Sequence, residues 1–131
     1  MISRHSMTEE LASGIYPPVS WNPDHSLIAT VQDEKRKTLI ALYERNGLRH
    51  GECVLPSSMK SIQIAYNSTG SLIAVVGIMN EKPVLLIYTR MNYHWYMKLQ
   101  RIYETPIQSI YWDLMNEMTL TVLFNVTFLM L

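Results

Sequence analysis

The side chains best suited to chemistry in this sequence are its four histidines, because imidazole binds zinc and transfers protons near neutral pH. None of them has a cysteine or carboxylate partner at the spacing of metal ligands. They fall at predicted turns or on a predicted outer strand, at His5, His25, His50 and His94. The sequence therefore predicts neither a metal centre nor a bound cofactor.

Two carboxylates and the single cysteine are the other candidates for catalysis. Asp113 and Glu117 are four residues apart, but they fall between two predicted strands, where acidic residues commonly form turns. Cys53 lies in a predicted strand and is interpreted as a small hydrophobic residue. Glycine-rich phosphate loops, CxxC pairs, HExxH and GxSxG motifs do not occur. We therefore predict no enzymatic activity and no small-molecule substrate.

The remaining candidates are surface residues in two segments that lie 45 residues apart. Each segment combines cations with amides or aromatic rings, a mixture found in binding hot spots and in grooves for single-stranded RNA. Three interpretations stay open: the rings of Tyr93 and Trp95 cover the hydrophobic edge of a sheet, the segments bind a protein, or they bind RNA. The candidate partner-binding residues are Arg45, Asn46, Arg49, His50, Arg90, Asn92, Tyr93, His94, Trp95 and Tyr96.

Composition limits the class of protein. The chain has 131 residues, of which 48% are hydrophobic and 17% charged, as expected of one globular unit rather than a disordered tail. The formal net charge is zero, so no overall basic field favours nucleic acid or an anionic membrane. One cysteine excludes an internal disulfide framework. No signal peptide and no apolar run of ~20 residues is present, so we expect a cytoplasmic protein without a membrane span.

An internal repeat determines the predicted fold. Residues 21–29 (WNPDHSLIA) reappear as residues 66–74 (YNSTGSLIA), 45 residues later, and the same offset relates residues 42–45 to residues 87–90. A third copy begins at residues 107–112 and fades near residue 124. A period of ~40–45 residues with several short strands per unit is typical of β-propeller blades.

The chain is therefore predicted to be all-β, with about two and a half four-stranded antiparallel blades of a WD-repeat-like propeller. Residues 18–57 and 58–104 are predicted blades, and residues 105–124 begin a third. Residues 1–17 form a lead-in that could end a preceding blade, and residues 125–131 form an off-pattern hydrophobic tail. In the predicted outer strand, strict alternation places Tyr93, Trp95, Met97 and Leu99 on one face.

Three segments carry a resemblance to a known family. They are residues 43–52 (YERNGLRHGE), residues 92–98 (NYHWYMK), and residues 20–23 (SWNP) followed by residues 26–29 (SLIA). From about residue 2 to residue 112 the chain resembles the N-terminal propeller region of the scaffold subunit of the Elongator complex. It departs from the generic WD signature, because its third strands end in Tyr43-Glu44 and Tyr88-Thr89 instead of Trp-Asp.

The resemblance implies a non-catalytic scaffold, in fragment or truncated form, that contacts other Elongator subunits and supports modification of the tRNA wobble uridine. The resemblance also implies that the family's chemistry belongs to a different subunit. Because the segment lacks the family's second propeller, helical repeats and basic C-terminal segment, we expect its contact with tRNA to be indirect or weak. The single cysteine fits a reducing compartment, so the expected location is cytoplasmic, with a nuclear one as a further option. Two alternatives stay open: a WD-repeat adaptor with no role in tRNA modification, and a nucleic-acid-binding module, which the zero net charge disfavours.

Overall fold

The computed structural model describes residues 19–56, 58–92 and 94–124. Within these ranges the chain forms ten strands and no helix, which confirms the all-β prediction. The predicted lead-in (1–17) and tail (125–131) lie outside the described residues. Nowhere in the described ranges is there a helix long and apolar enough to cross a membrane. The strands are β1 (Val19–Trp21), β2 (Leu27–Glu34), β3 (Lys37–Glu44), β4 (Arg49–Val54), β5 (Lys60–Tyr66), β6 (Leu72–Met79), β7 (Lys82–Met91), β8 (His94–Ile102), β9 (Ile107–Trp112) and β10 (Leu120–Phe124).

The strands form three antiparallel sheets in which neighbours along the chain are neighbours in space. The first sheet has the order β1-β2-β3-β4, the second β5-β6-β7-β8, and the third pairs β9 with β10. The turns β2–β3 and β6–β7 each have positive φ at both central residues, Lys35 and Arg36 in one and Asn80 and Glu81 in the other. Such turns match the twist of the strands that they join, so each favours a tight hairpin.

The core lies between the sheets rather than within any one of them. One buried cluster joins the first and second sheets and includes Ile40, Ile73 and Leu86. The other covers the opposite face of the second sheet, where Leu72 and Leu85 pack with half-buried residues of the third. Strands β6 and β7 are therefore buried on both faces, which explains why their sequences are continuously apolar instead of alternating.

A β-bulge overturns the strict alternation predicted for the outer strand. Ile87 pairs with Leu99 and Tyr88 pairs with Met97, so Lys98 is an extra residue that shifts the register of β8. Trp95 packs against the cluster between the first two sheets, and Leu99 packs against the other cluster. The prediction that Trp95, Met97 and Leu99 share one face is wrong, since an inserted residue reverses the side-chain direction beyond it.

A glycine allows close backbone approach beside a second irregularity, between Lys60 and Gln63 on β5. A Cβ atom added at Gly77 on β6 would lie 2.8 Å from the carbonyl oxygen of Lys60 and 2.9 Å from the Met59 methyl carbon. A real Cβ atom cannot occupy that position without moving the backbone of β5. Gly51 on β4 has more room, because its added Cβ would meet only Leu42 Cδ1, at 3.8 Å.

These contacts predict different losses of stability for two glycine substitutions. Gly77→Ala should lower the free energy of unfolding by about 1–3 kcal/mol, as expected for overpacking. The matched variant Gly51→Ala should change it by no more than about 1 kcal/mol, since the lower conformational entropy of alanine in the unfolded chain meets no clash. Urea denaturation of both variants measures the difference. Equal losses of stability would contradict the close approach.

Candidate functional site: the groove between the first two sheets

A polar groove lies where the first two sheets meet, at the end of the sheets that carries the turns β1–β2, β3–β4 and β5–β6. Its volume is about 790 Å³. We call it the inter-sheet groove and define it by the residues that line it: Asn22, Pro23, Asp24, Ser26, Leu27, Glu44, Arg45, Asn46, His50, Thr69, Gly70 and Arg90. Four of the predicted site residues, Arg45, Asn46, His50 and Arg90, are among them.

Repeated asparagines build the turns that form one wall. In the turn β1–β2 the backbone N–H of Leu27 donates to Asn22 Oδ1 at 3.1 Å, and Asn22 Nδ2 donates to Ser26 Oγ at 3.1 Å. The turn β5–β6 has the same two bonds around Asn67, from the Leu72 N–H at 3.0 Å and to Ser71 Oγ at 3.1 Å. The repeated pattern of asparagine followed by serine and leucine thus forms the same turn twice.

Hydrogen bonds between sheets hold these turns in fixed relative positions. The Tyr66 N–H donates to Ser20 Oγ at 3.1 Å, and Trp112 Nε1 donates to the Ala65 carbonyl at 3.0 Å. Asn67 Nδ2 also donates to the Glu117 carbonyl at 3.1 Å, in the turn β9–β10. Sequence reasoning missed these links, although the third copy of the repeat, which begins at residues 107–112, contains Trp112, where one of them forms.

The turn β3–β4 presents the cations of the opposite wall. The Gly47 N–H donates to the Glu44 carbonyl at 2.9 Å, with Gly47 at φ 90°, and Asn46 Oδ1 accepts from the Leu48 N–H at 2.9 Å. His50 Nδ1 lies 3.5 Å from Glu44 Oε1. The Arg45 side chain is exposed and forms no ion pair or hydrogen bond within the described ranges.

The groove also contains an ionised carboxylate. Asp24 Oδ1 accepts from Ser26 Oγ at 2.6 Å and from the Ser26 N–H at 2.9 Å. These hydrogen bonds lower the pKa of the Asp24 carboxyl below its usual value. The walls therefore carry both signs of charge, from Arg45 and Arg90 and from Asp24 and Glu44. Charges and amides in this arrangement recognise polar ligands through ion pairs and hydrogen bonds.

Arg49, another predicted site residue, does not line the groove. Its guanidinium pairs with Glu34 Oε2 at 2.8 Å and with Glu52 Oε2 at 2.6 Å, and the hydrogen bond to Glu34 raises the pKa of Arg49. All three side chains belong to the face of the first sheet turned away from the second. The Arg49–Glu34 ion pair crosses β3 and connects β2 with β4, whereas Glu52 lies on the same strand as Arg49.

The predicted equivalence of the two candidate segments holds only in part. Leu27 pairs with Glu44 and Leu72 pairs with Thr89, so the offset of 45 places Arg45 and Arg90 at matching positions. In the outer strands Tyr43 pairs with Arg49 but Tyr88 pairs with Met97, an offset of 48. The paired residues are three positions further apart along the chain in the second sheet (88 and 97) than in the first (43 and 49), which produces this shift.

The remaining candidates lie along the start of β8 and the turn before it. Trp95 is half-buried and its ring lies edge-on to Tyr66, with centroids 6.2 Å apart, as expected of a ring that covers the sheet edge. His94 and Tyr96 are exposed neighbours, with ring centroids 6.5 Å apart. Asn92 has a positive φ of 50° in the turn. Tyr93 lies outside the described residues.

Two of the three catalytic candidates, Asp113 and Cys53, have structural roles in their surroundings. Asp113 Oδ1 accepts from the backbone N–H groups of Met115 and Asn116 at 2.7 and 2.9 Å, so it forms a turn as predicted, and these bonds lower its pKa. Cys53 is buried in the core, and burial raises the pKa of its thiol to about 12. Within the described ranges, no group of three or more His, Cys, Asp or Glu side chains could hold a metal ion.

Comparison with known proteins identifies the family. Residues 3–115 match the family model described as the ELP1 first N-terminal beta-propeller. The chain belongs to this family. The predicted propeller fold and the predicted resemblance are thereby confirmed.

Curated relatives agree with the ELP1 propeller assignment. The chain is 35% identical over 111 residues to Elongator complex protein 1 of Drosophila melanogaster, which covers 81% of this chain and 9% of the relative. It is 36% identical over 118 residues to Elongator complex protein 1 of Saccharomyces cerevisiae, covering 85% of this chain and 8% of the relative. For Elongator complex protein 1 of Rattus norvegicus the identity is 32% over 120 residues, with coverage of 81% and 9%. The chain thus spans less than a tenth of the length of these relatives.

The ELP1-type turn asparagines differ in burial, which gives a test of the links between sheets. Asn67 is 1% exposed and bonds to the neighbouring sheet, whereas Asn22 is half-buried and its described bonds stay within its own turn. Asn67→Ala should lower the free energy of unfolding by about 1–3 kcal/mol, because it leaves buried backbone groups without partners. Asn22→Ala should cost about 1 kcal/mol or less. Thermal denaturation compares them, and equal losses would argue against the link to Glu117.

The Cys53 thiol should be inert in the folded chain. A thiol with a pKa of about 12 is almost wholly protonated at pH 8, so a disulfide reagent should label Cys53 at least about 100-fold more slowly than in urea. The control is Cys53→Ser combined with Leu48→Cys, since position 48 is 61% exposed and should be labelled rapidly. Rapid labelling of native Cys53 would show that the core between the sheets is open.

Proposed function

We propose that this chain is a non-catalytic scaffold segment of the Elongator complex and supports tRNA wobble-uridine modification through contacts with other Elongator subunits. The observation that carries the proposal is the family match over residues 3–115, together with relatives that are named as proteins of that complex. Contact with tRNA is indirect or weak in this proposal. The location is the cytoplasm, with the nucleus as a second site.

The proposal divides the chain by blades. Residues 18–57 and 58–104 are two propeller blades, residues 105–124 begin a third, residues 1–17 lead in and residues 125–131 form the tail. Each of the first two segments contains a four-stranded antiparallel meander, and the third contains a two-stranded one, which supports this division.

The character of the inter-sheet groove supports a role in protein contact. Its walls carry charged and amide side chains of both signs, and the carboxylates of Asp24 and Glu44 are each held by a neighbouring side chain. Charged and amide side chains of this kind, at the polar edge of a protein interface, determine which partner binds and in which orientation. The exposed ring of Tyr96 at the outer strand adds the kind of side chain that often anchors a partner.

Affinity capture of the chain, tagged at its own locus, tests the proposal. We expect other Elongator subunits to be enriched over a tag-only control, and we expect cells lacking the chain to have less modified wobble uridine in nucleoside mass spectrometry of their tRNA. Recovery of intact, folded chain without any Elongator subunit would overturn the complex assignment and favour a WD-repeat adaptor. Unchanged wobble-uridine levels would overturn the link to tRNA modification.

A further inference from the structure

Two arginines at matching positions in successive sheets open into the same groove. Arg45 directly follows Glu44, which pairs with Leu27, and Arg90 directly follows Thr89, which pairs with Leu72. Both side chains are exposed and both line the inter-sheet groove. Because packed sheets lie about 10 Å apart, the two cations can bind two anionic groups at a comparable separation on one ligand.

The polar groups around Arg45 favour an anionic ligand at its side chain. The carboxylate of Asp24 already accepts two hydrogen bonds from Ser26, and Glu44 lies beside His50, so neither is directed at Arg45. Arg45 has no ion pair or hydrogen bond in the described part of the chain. Asn46 Oδ1 is occupied by the Leu48 N–H, which leaves the Asn46 amide NH₂ available as a donor beside Arg45.

We propose that the inter-sheet groove binds an extended acidic peptide segment of a partner protein, with two carboxylates directed at Arg45 and Arg90. In an extended polyproline-type segment, carboxylates three residues apart lie about 9 Å from each other on one side, which matches the separation of the sheets. This inference rests on the proposed function in one respect: it takes the partner of this surface to be a protein.

A peptide fits the groove better than a nucleic acid does. Asp24 is ionised and Glu44 stands next to Arg45, so a continuous chain of phosphates would meet repulsion on both walls. A peptide can instead donate its backbone N–H groups to those carboxylates. The described lining also contains no Phe, Tyr or Trp on which a base could stack.

The test is fluorescence anisotropy of a labelled peptide, acetyl-Ser-Glu-Pro-Ser-Glu-Ser-amide, titrated with the 131-residue chain. The matched control peptide has Gln in place of both Glu residues. Arg45→Gln and Arg90→Gln should each weaken binding about 5- to 10-fold, as expected for loss of a charge-assisted contact. Arg101→Gln on β8 removes the same charge outside the groove and should change binding less than about twofold. Circular dichroism checks that each variant is folded.

Several results would overturn the inference. They are equal binding of the Glu and Gln peptides, no loss with Arg45→Gln and Arg90→Gln, a similar loss with Arg101→Gln, or an oligouridylate that binds more tightly and displaces the peptide. Affinity capture of the wild-type chain, combined with the peptide titration, separates the two proposals. If Elongator subunits co-purify with the wild-type chain but the peptide does not bind, this inference fails and the proposed function stands. If the peptide binds as expected but no Elongator subunit co-purifies, the proposed function fails alone.

Discussion

Apolar packing between sheets is the constraint on which the described structure depends. Strands β6 and β7 bury one face against the first sheet and the other against the third, so the second sheet has no face in water along its centre. Removing this apolar surface from water is the main favourable contribution to the fold. Among the described residues few hydrogen bonds join the sheets, so most of the contact between them is apolar packing.

The hydrogen bonds between sheets have a different task, since they set the relative positions of the turns. Ser20, Asn67 and Ala65 each form a bond to the next sheet along the chain, close to the end where the groove lies. Apolar packing has no preferred direction and would tolerate small slips between sheets. Directional bonds remove that freedom, and the bond from the Tyr66 N–H to Ser20 Oγ fixes how the first two sheets face each other beside the inter-sheet groove.

Much of the fold could be predicted because the repeat is a local pattern. The repeat, with several short strands per unit, predicted the all-β fold, and β8 was correctly assigned as an outer strand. The faces of β8 were assigned wrongly, because alternation holds only while the strand has no inserted residue. The bulge at Lys98 reverses the direction of Leu99 relative to Trp95, and no local signal in the sequence marked it.

The all-β class, the 45-residue repeat and the matching positions of Arg45 and Arg90 follow from the order and spacing of residue types along the chain, so they could be predicted without coordinates. By contrast, the pairing of Arg49 with Glu34 across β3 and the position of Arg45 in the groove depend on contacts between strands and sheets that are distant in sequence. Side chains near the end of a strand, such as those of Arg45 and Arg49, point in different directions. The partner that each side chain meets is set by the twist of its sheet and by the packing of the next sheet.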